Sequence, residues 1–93
     1  MSMTTPEPIV THQAAANRFA VTVNGHLAVA EYARHGQVVT MMHTFVPPEL
    51  RGRGLAEQLV VAALEWARAE RLQVVPACSY VANFLERHPE YRG

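Results

Sequence analysis

Two of the four common charged side chains are missing: the 93-residue chain contains no lysine and no aspartate. That excludes a Schiff-base lysine, a Walker A lysine, a Ser-His-Asp triad and an EF-hand as these are usually built. Cysteine is scarce as well. Cys78 stands alone, so no disulfide can brace the fold, and a lone thiol fits a reducing compartment better than secretion. No stretch approaches the roughly 20 apolar residues of a membrane helix. The first sixteen residues carry neither the basic residues nor the apolar run of a secretory signal. The expectation is a soluble cytoplasmic protein that does not enter a membrane. Neither sign of charge is in excess: eight arginines balance eight glutamates. A general nucleic-acid binder normally carries a basic surplus, so that class is set aside and any anion site must be local. This length makes one domain with a thin core.

What is present reads as alternating strands followed by helices. Residues 1–16 hold two prolines and no clean period, which predicts a flexible N-terminal segment, with Ile9 and Val10 able to dock on a domain over 17–93. Asn17 to Val23 alternates and suits a strand. Asn24-Gly25 then signals a two-residue hairpin, because both turn residues need positive φ. The next strand is His26 to Arg34, and a register counted from the turn puts Arg18 opposite Glu31 as a charge pair. His35-Gly36 predicts a second turn, and Gln37 to Val46 a third strand, stopped by Pro47-Pro48. Glu49 to Gly54 is a glycine-rich loop. Leu55 to Arg71 has helical spacing at Leu55, Leu59, Ala62, Ala63 and Trp66. Leu72 to Val75 predicts a fourth strand, and Ser79 to Arg87 a last helix with Ser79 as N-cap. The long helix between the third and fourth strands predicts that they lie parallel. The fold class is α+β, order β-β-β-α-β-α, a mixed sheet covered by helices.

The stretch Val46 to Ala56, VPPELRGRGLA, is the most informative. A strand, a tight loop and a helix start follow one another. The first N–H groups of a helix have no partner inside it and carry the positive end of its dipole, so a pyrophosphate can accept from them. Gly52 and Gly54 allow close backbone approach, and Arg51 and Arg53 add charge.

Arg51-Gly52-Arg53-Gly54-Leu55-Ala56 resembles the acetyl-CoA motif of the GCN5-related N-acetyltransferases: Gln or Arg, two residues, Gly, one residue, then Gly or Ala. Arg51, Gly54 and Ala56 fill the fixed positions. His43-Thr44, Val46-Pro47, Cys78-Ser79-Tyr80-Val81 and His88-Pro89-Glu90-Tyr91 also resemble the small YjdJ-type subgroup, whose members are little more than the cofactor-binding core. The resemblance covers Asn17 to Tyr91. It implies the minimal acyl-CoA N-acyltransferase fold, with acetyl-CoA as cosubstrate and an amine as acceptor. It also implies that Arg51, Gly52, Arg53, Gly54, Leu55 and Ala56 hold the phosphates. The pantetheine arm would pair with the backbone of Thr44, Phe45 and Val46, with the thioester in a splay between the third and fourth strands. Larger relatives have extra helices and strands that help build the acceptor site. This chain has no room for them, so a shallow site, or one completed by a partner or a second copy in a homodimer, is expected.

Three side chains are candidates for chemistry. Cys78 precedes the last helix, where a helix N-terminus favours thiolate, and it could take the acetyl group and pass it on. A buried cysteine that merely fills the core is the plain alternative. His43 could accept a proton from Cys78 or from the amine; a satisfied sheet histidine is its alternative. Many relatives protonate the leaving thiolate with a tyrosine near the last helix, which marks Tyr80, although the residue also suits packing that helix onto the sheet. Asn83 and Phe84 could line the cofactor's arm. His12, His26, His35 and His88 show no metal-ligand spacing and read as surface histidines. Met41-Met42 and Trp66 read as core filling. Two functions stay open: acetyl transfer to an amine, directly or through Cys78, and a non-catalytic CoA-binding module that senses or recruits. The arginine-glycine loop argues against a purely structural domain.

Overall fold

The computed structural model describes residues 9–92. Five strands form one sheet in sequential order: β1 Thr11–Gln13, β2 Arg18–Val23, β3 His26–His35, β4 Val38–Phe45 and β5 Gln73–Pro76. The first four pair antiparallel, and β4 and β5 are parallel, joined by helix α1, Leu55–Ala69. Helix α2, Ser79–Arg87, follows β5. The chain then closes with a 3-10 turn, Pro89–Arg92.

The turns set the register. Asn24 and Gly25 take φ of 50° and 79°, so Val23 faces His26 and Arg18 faces Glu31 as expected. The charge pair itself does not form: the Arg18 Nε donates to Gln13 Oε1 at 2.6 Å instead. The second turn falls one residue later than expected, on Gly36-Gln37, because Gly36 supplies the positive φ of 61° and His35 pairs with Val38. The fourth expected strand is also displaced by one. Leu72 turns into the core and pairing starts at Gln73, whose N–H reaches Gln37 C=O.

One residue of β4 has no opposite number. Glu31 pairs with His43 and Tyr32 with Met41, so Met42 is a β-bulge. Met41 is buried at 1 % exposure while Met42 is 55 % exposed, which corrects the reading of both as core.

Both helices lie on one face of the sheet. Phe19, Val21, Ala28, Ala30, Tyr32, Val39 and Met41 share that face by register. They pack with Leu55, Leu59, Val60, Ala63, Leu64 and Ala67 of α1 and with Val81, Phe84 and Leu85 of α2. Burying side chains of this kind is worth roughly 1.5–3 kcal/mol each before entropy is counted. The other face, including Leu27, Phe45 and Val75, has no helix over it among the described residues.

The N-terminal expectation changes most. Residues 1–8 lie outside the described part, but Thr11–Gln13 is an edge strand on β2, followed by a 3-10 turn at Ala14–Ala16. Val10 packs on the core, whereas Ile9 is exposed. His12 is not a surface histidine. Its ring stacks on Phe19 at 4.1 Å, meets the edge of Trp66 at 4.7 Å, and its Nε2 lies 2.6 Å from the Tyr32 hydroxyl. Period-two alternation over three residues is too short to show in a sequence, and this strand is held by its side chains.

Burial lowers the His12 pKa below 6.5. The unfolded chain therefore takes up a proton that the folded chain refuses. The stabilising contribution is complete above about pH 6.5 and is lost as pH falls toward the folded value. Urea unfolding at pH 7.5 and 5.5 should show the wild type losing stability on acidification, and His12→Phe losing less.

Candidate active site

The site begins where two strands part. β4 and β5 pair from Val38–Gln73 to Met41–Pro76, and the last link is Cys78 N–H to Met41 C=O at 2.8 Å. Beyond it β4 continues to Phe45 with only β3 beside it. Tyr32 N–H donates to Asn17, so Tyr32 and Ala30 turn their polar backbone toward β2, and Glu31 and Val29 turn theirs toward β4. The alternation of an antiparallel ladder then bonds Glu31 to His43 and Val29 to Phe45, and aims the Thr44 backbone at the open side. Of the three residues expected to pair with a pantetheine arm, Thr44 turns its backbone to the open edge. The Phe45 backbone is directed to β3, and the Val46 carbonyl accepts from Arg51 Nε at 3.2 Å.

The glycine-rich loop follows directly. A 3-10 turn, Pro48–Leu50, anchors it through the buried Leu50. Gly52 and Gly54 sit at φ of 82° and 73°. Gly54 caps α1 with no side-chain bond, and the first helical bond is Gln58 N–H to Gly54 C=O at 3.1 Å. Among the described residues, the N–H groups from Gly52 to Glu57 have no partner. A Cβ at either glycine would meet nothing within 4 Å. The space above the loop is therefore open, and the glycines answer to backbone conformation and approach from outside, not to packing. Arg51 and Arg53 are exposed beside it, with Leu55 buried beneath and Ala56 half-buried.

Cys78 closes the mouth of the cleft. It is half-buried and is the N-cap of α2, so Ser79 is the first helical residue and not the cap. Its Sγ lies 3.7 Å from Thr44 Oγ1. Burial pushes the thiol pKa up. The N–H of Val81, the Thr44 hydroxyl, and the N–H groups of Tyr80 and Thr44 more than offset this, and the net shift is downward from 9.0. This is a nest of donors for a thiolate, drawn from the open strand edge and from a helix N-terminus.

The remaining candidates divide. The hydrogen-bond partner of Cys78 is Thr44, not His43; His43 is exposed, with its ring nearly parallel to Phe45 at 6.3 Å. The half-buried Tyr80 phenol has its pKa raised, first by burial and then by Glu57 in the first turn of α1, with Arg87 opposing. It stays protonated at neutral pH and is available to donate. Asn83 is exposed, but Phe84 is 1 % exposed and belongs to the core, against His88 and Tyr91, so it cannot line an arm. A cavity of about 400 Å³ lined by Glu65, Arg68, Ala69, Glu90 and Tyr91 lies at the far end of α1, away from this chemistry. Among the described residues no His, Cys or Glu cluster could hold a metal. No helix there is long and apolar enough to cross a membrane. Sequence reading missed the Thr44 hydroxyl as the partner of the thiol, since only the bulge turns it inward.

A run of free N–H groups at a helix start, beside two parallel strands that part, is the arrangement of the acyl-CoA acyltransferase class of α+β domain. The comparisons agree. The sequence profile described as GCN5-related N-acetyl-transferase matches residues 18–93. Protein NATD1 of Bos taurus is 36 % identical over 83 residues, covering 86 % of this chain and 74 % of that protein. The Homo sapiens protein is 35 % identical over the same span, and that of Danio rerio 33 % over 87 residues, covering 88 % of this chain and 79 % of its own. The solution structure of a GCN5-like candidate N-acetyltransferase from Staphylococcus aureus superposes with a TM-score of 0.70 at 28 % identity, covering 90 % of this chain and 83 % of that one. The chain belongs to the GCN5-related N-acetyltransferase family.

The thiol nest has a direct test. Alkylation of Cys78 by iodoacetamide should be half-maximal at a lower pH in the native protein than in urea. Thr44→Val, which removes the hydroxyl but keeps the N–H, should move the native midpoint upward.

Proposed function

We propose that the chain binds acetyl-CoA and moves its acetyl group to an amine by way of Cys78. The observation that carries this reading is the run of unpartnered N–H groups from Gly52 to Glu57, open above both glycines, ending a strand whose free edge leads to the Cys78 nest. The family generally uses acetyl-CoA. The cradle suits its diphosphate, which accepts hydrogen bonds and carries the charge that a helix start and two arginines attract. The Thr44 backbone suits the amide-bearing arm, which would take the place of the strand that β5 ceases to supply.

Acetyl-CoA supplies an activated carbonyl and a thiolate leaving group. The Cys78 thiolate forms a sulfur–carbon bond to the acetyl group as the bond to CoA breaks, and the Tyr80 phenol gives the departing sulfur its proton. His43 takes a proton from the incoming ammonium and releases it to water. The neutral amine forms the nitrogen–carbon bond, the bond to Cys78 breaks, and the surplus proton on nitrogen returns to Tyr80. Positioning accounts for most of the rate, and each proton transfer adds roughly 10²–10⁴-fold. A thiol that must stay reduced fits a cytoplasmic setting.

Acetyl-CoA and CoA should both raise the melting temperature of the wild type, because a ligand of the native state alone stabilises it. Arg51→Ala should weaken binding about tenfold, the loss of one charge-assisted hydrogen bond. Gly54→Val should abolish it. Incubation with acetyl-CoA should add one acetyl group at Cys78 by mass spectrometry, absent from Cys78→Ala. Binding without acetylated Cys78 or amine-dependent release of CoA would favour a non-catalytic module, and no binding would refute the proposal.

A further inference from the structure

Four of the large hydrophobic side chains with the greatest exposure are Leu27 at 41 %, Met42 at 55 %, Phe45 at 43 % and Val75 at 39 %. By register, Leu27, Phe45 and Val75 all lie on the sheet face that no helix covers, and Met42 stands at the bulge beside them. Val29, opposite Phe45, floors the patch at 8 % exposure. The rings of His43 and Phe45 are within 14° of parallel, two flat surfaces side by side.

One carboxylate interrupts this surface, with Arg18 further along the same face. Glu31 is exposed, sits directly opposite His43 in the ladder, and has no cation within 4 Å among the described residues. Its other cross-strand neighbour, Arg18, has turned away to Gln13. A free carboxylate at the edge of an apolar floor attracts a cation and leaves the rest of the floor to an apolar body. Access points the same way. The opposite face of the parted strands is filled by α1 and α2, with Cys78 and Thr44 between them. Among the described residues no helix stands over the uncovered face, where His43 is the residue next to Thr44.

Resting on the acetyl-transfer reading, we infer that the acceptor is a primary ammonium carried on an apolar or aromatic body. It sits on the uncovered face with its nitrogen between Glu31 and His43 and its body on Phe45, Met42 and Leu27. Glu31 is a specificity residue: it selects the charged end, and the floor selects the rest. An elongated polycation would leave that floor wet, and a neutral analogue would leave the carboxylate unmet.

The test is an amide-resolved NMR titration of the full chain, with and without CoA, using 2-phenylethylamine, 2-phenylethanol and spermidine as probes. 2-Phenylethylamine should shift the resonances of Leu27, Glu31, His43 and Phe45 and bind more tightly than the other two. Glu31→Gln should weaken it about fivefold, the size of an exposed ion pair, while leaving the thermal shift with CoA unchanged. Equal binding of spermidine or 2-phenylethanol would overturn the inference, as would shifts elsewhere or an unaffected Glu31→Gln. Concentration-dependent broadening of this face without amine would also overturn it, by showing that a second copy covers it. If the amine binds here but CoA never binds, the acetyl-transfer reading falls and the amine site stands.

Discussion

The parting of β4 from β5 after Met41 and Pro76 is the constraint on which the rest of the site depends. A strand with one edge unpaired leaves N–H and C=O groups that must be met by water, by protein or by a ligand. This chain meets them only partly: Cys78 N–H takes the Met41 carbonyl, Arg51 takes that of Val46, and the Thr44 N–H faces the Cys78 sulfur. The same divergence makes room for α2 to start beside the open edge, which brings a helix N-terminus and a strand edge to one thiol. The loop after β4 adds its own free N–H groups a few residues on. On the proposed reading, this one geometrical event would supply a place for a long amide-bearing ligand, a grip for its charged end and a nucleophile near its reactive end.

Much of this was legible in the sequence because it is encoded locally. Asn24-Gly25 dictates its turn and therefore the register of β2 and β3. The glycine-arginine loop before a helical period announces the free N–H groups at the helix start, and the single cysteine before a helix start announces the thiol. The long helix between β4 and β5 makes them parallel. What could not be read depends on contacts between distant residues. β1 is three residues held by His12 against Phe19, Tyr32 and Trp66. The Glu31 that register pairs with Arg18 loses it to Gln13, five residues upstream of Arg18. Phe84, placed by helical position toward a ligand, is drawn into the core by His88 and Tyr91.

Among the described residues, helices sheathe one side of the sheet. Both helices are spent on one face, and Leu27, Met42, Phe45 and Val75 on the other remain in contact with water. Chains this short bury a smaller share of their surface than larger domains. The uncovered face is what that shortage leaves among the described residues.

The bulge at Met42 has an effect out of proportion to one residue. Side chains alternate strictly along a strand, so one additional residue inverts the phase of everything after it. Before it, odd-numbered Val39 and Met41 point to the helices; after it, even-numbered Thr44 does, and His43 and Phe45 swing to the opposite side. Pairing Met42 opposite Glu31 as an ordinary ladder residue would instead shift the strand by one, bringing imidazole and phenyl rings inward where the hydroxyl now stands beside sulfur and turning the threonine out to solvent. The identity of the groups on each side of the cleft is therefore carried as much by a count of residues as by the residues themselves.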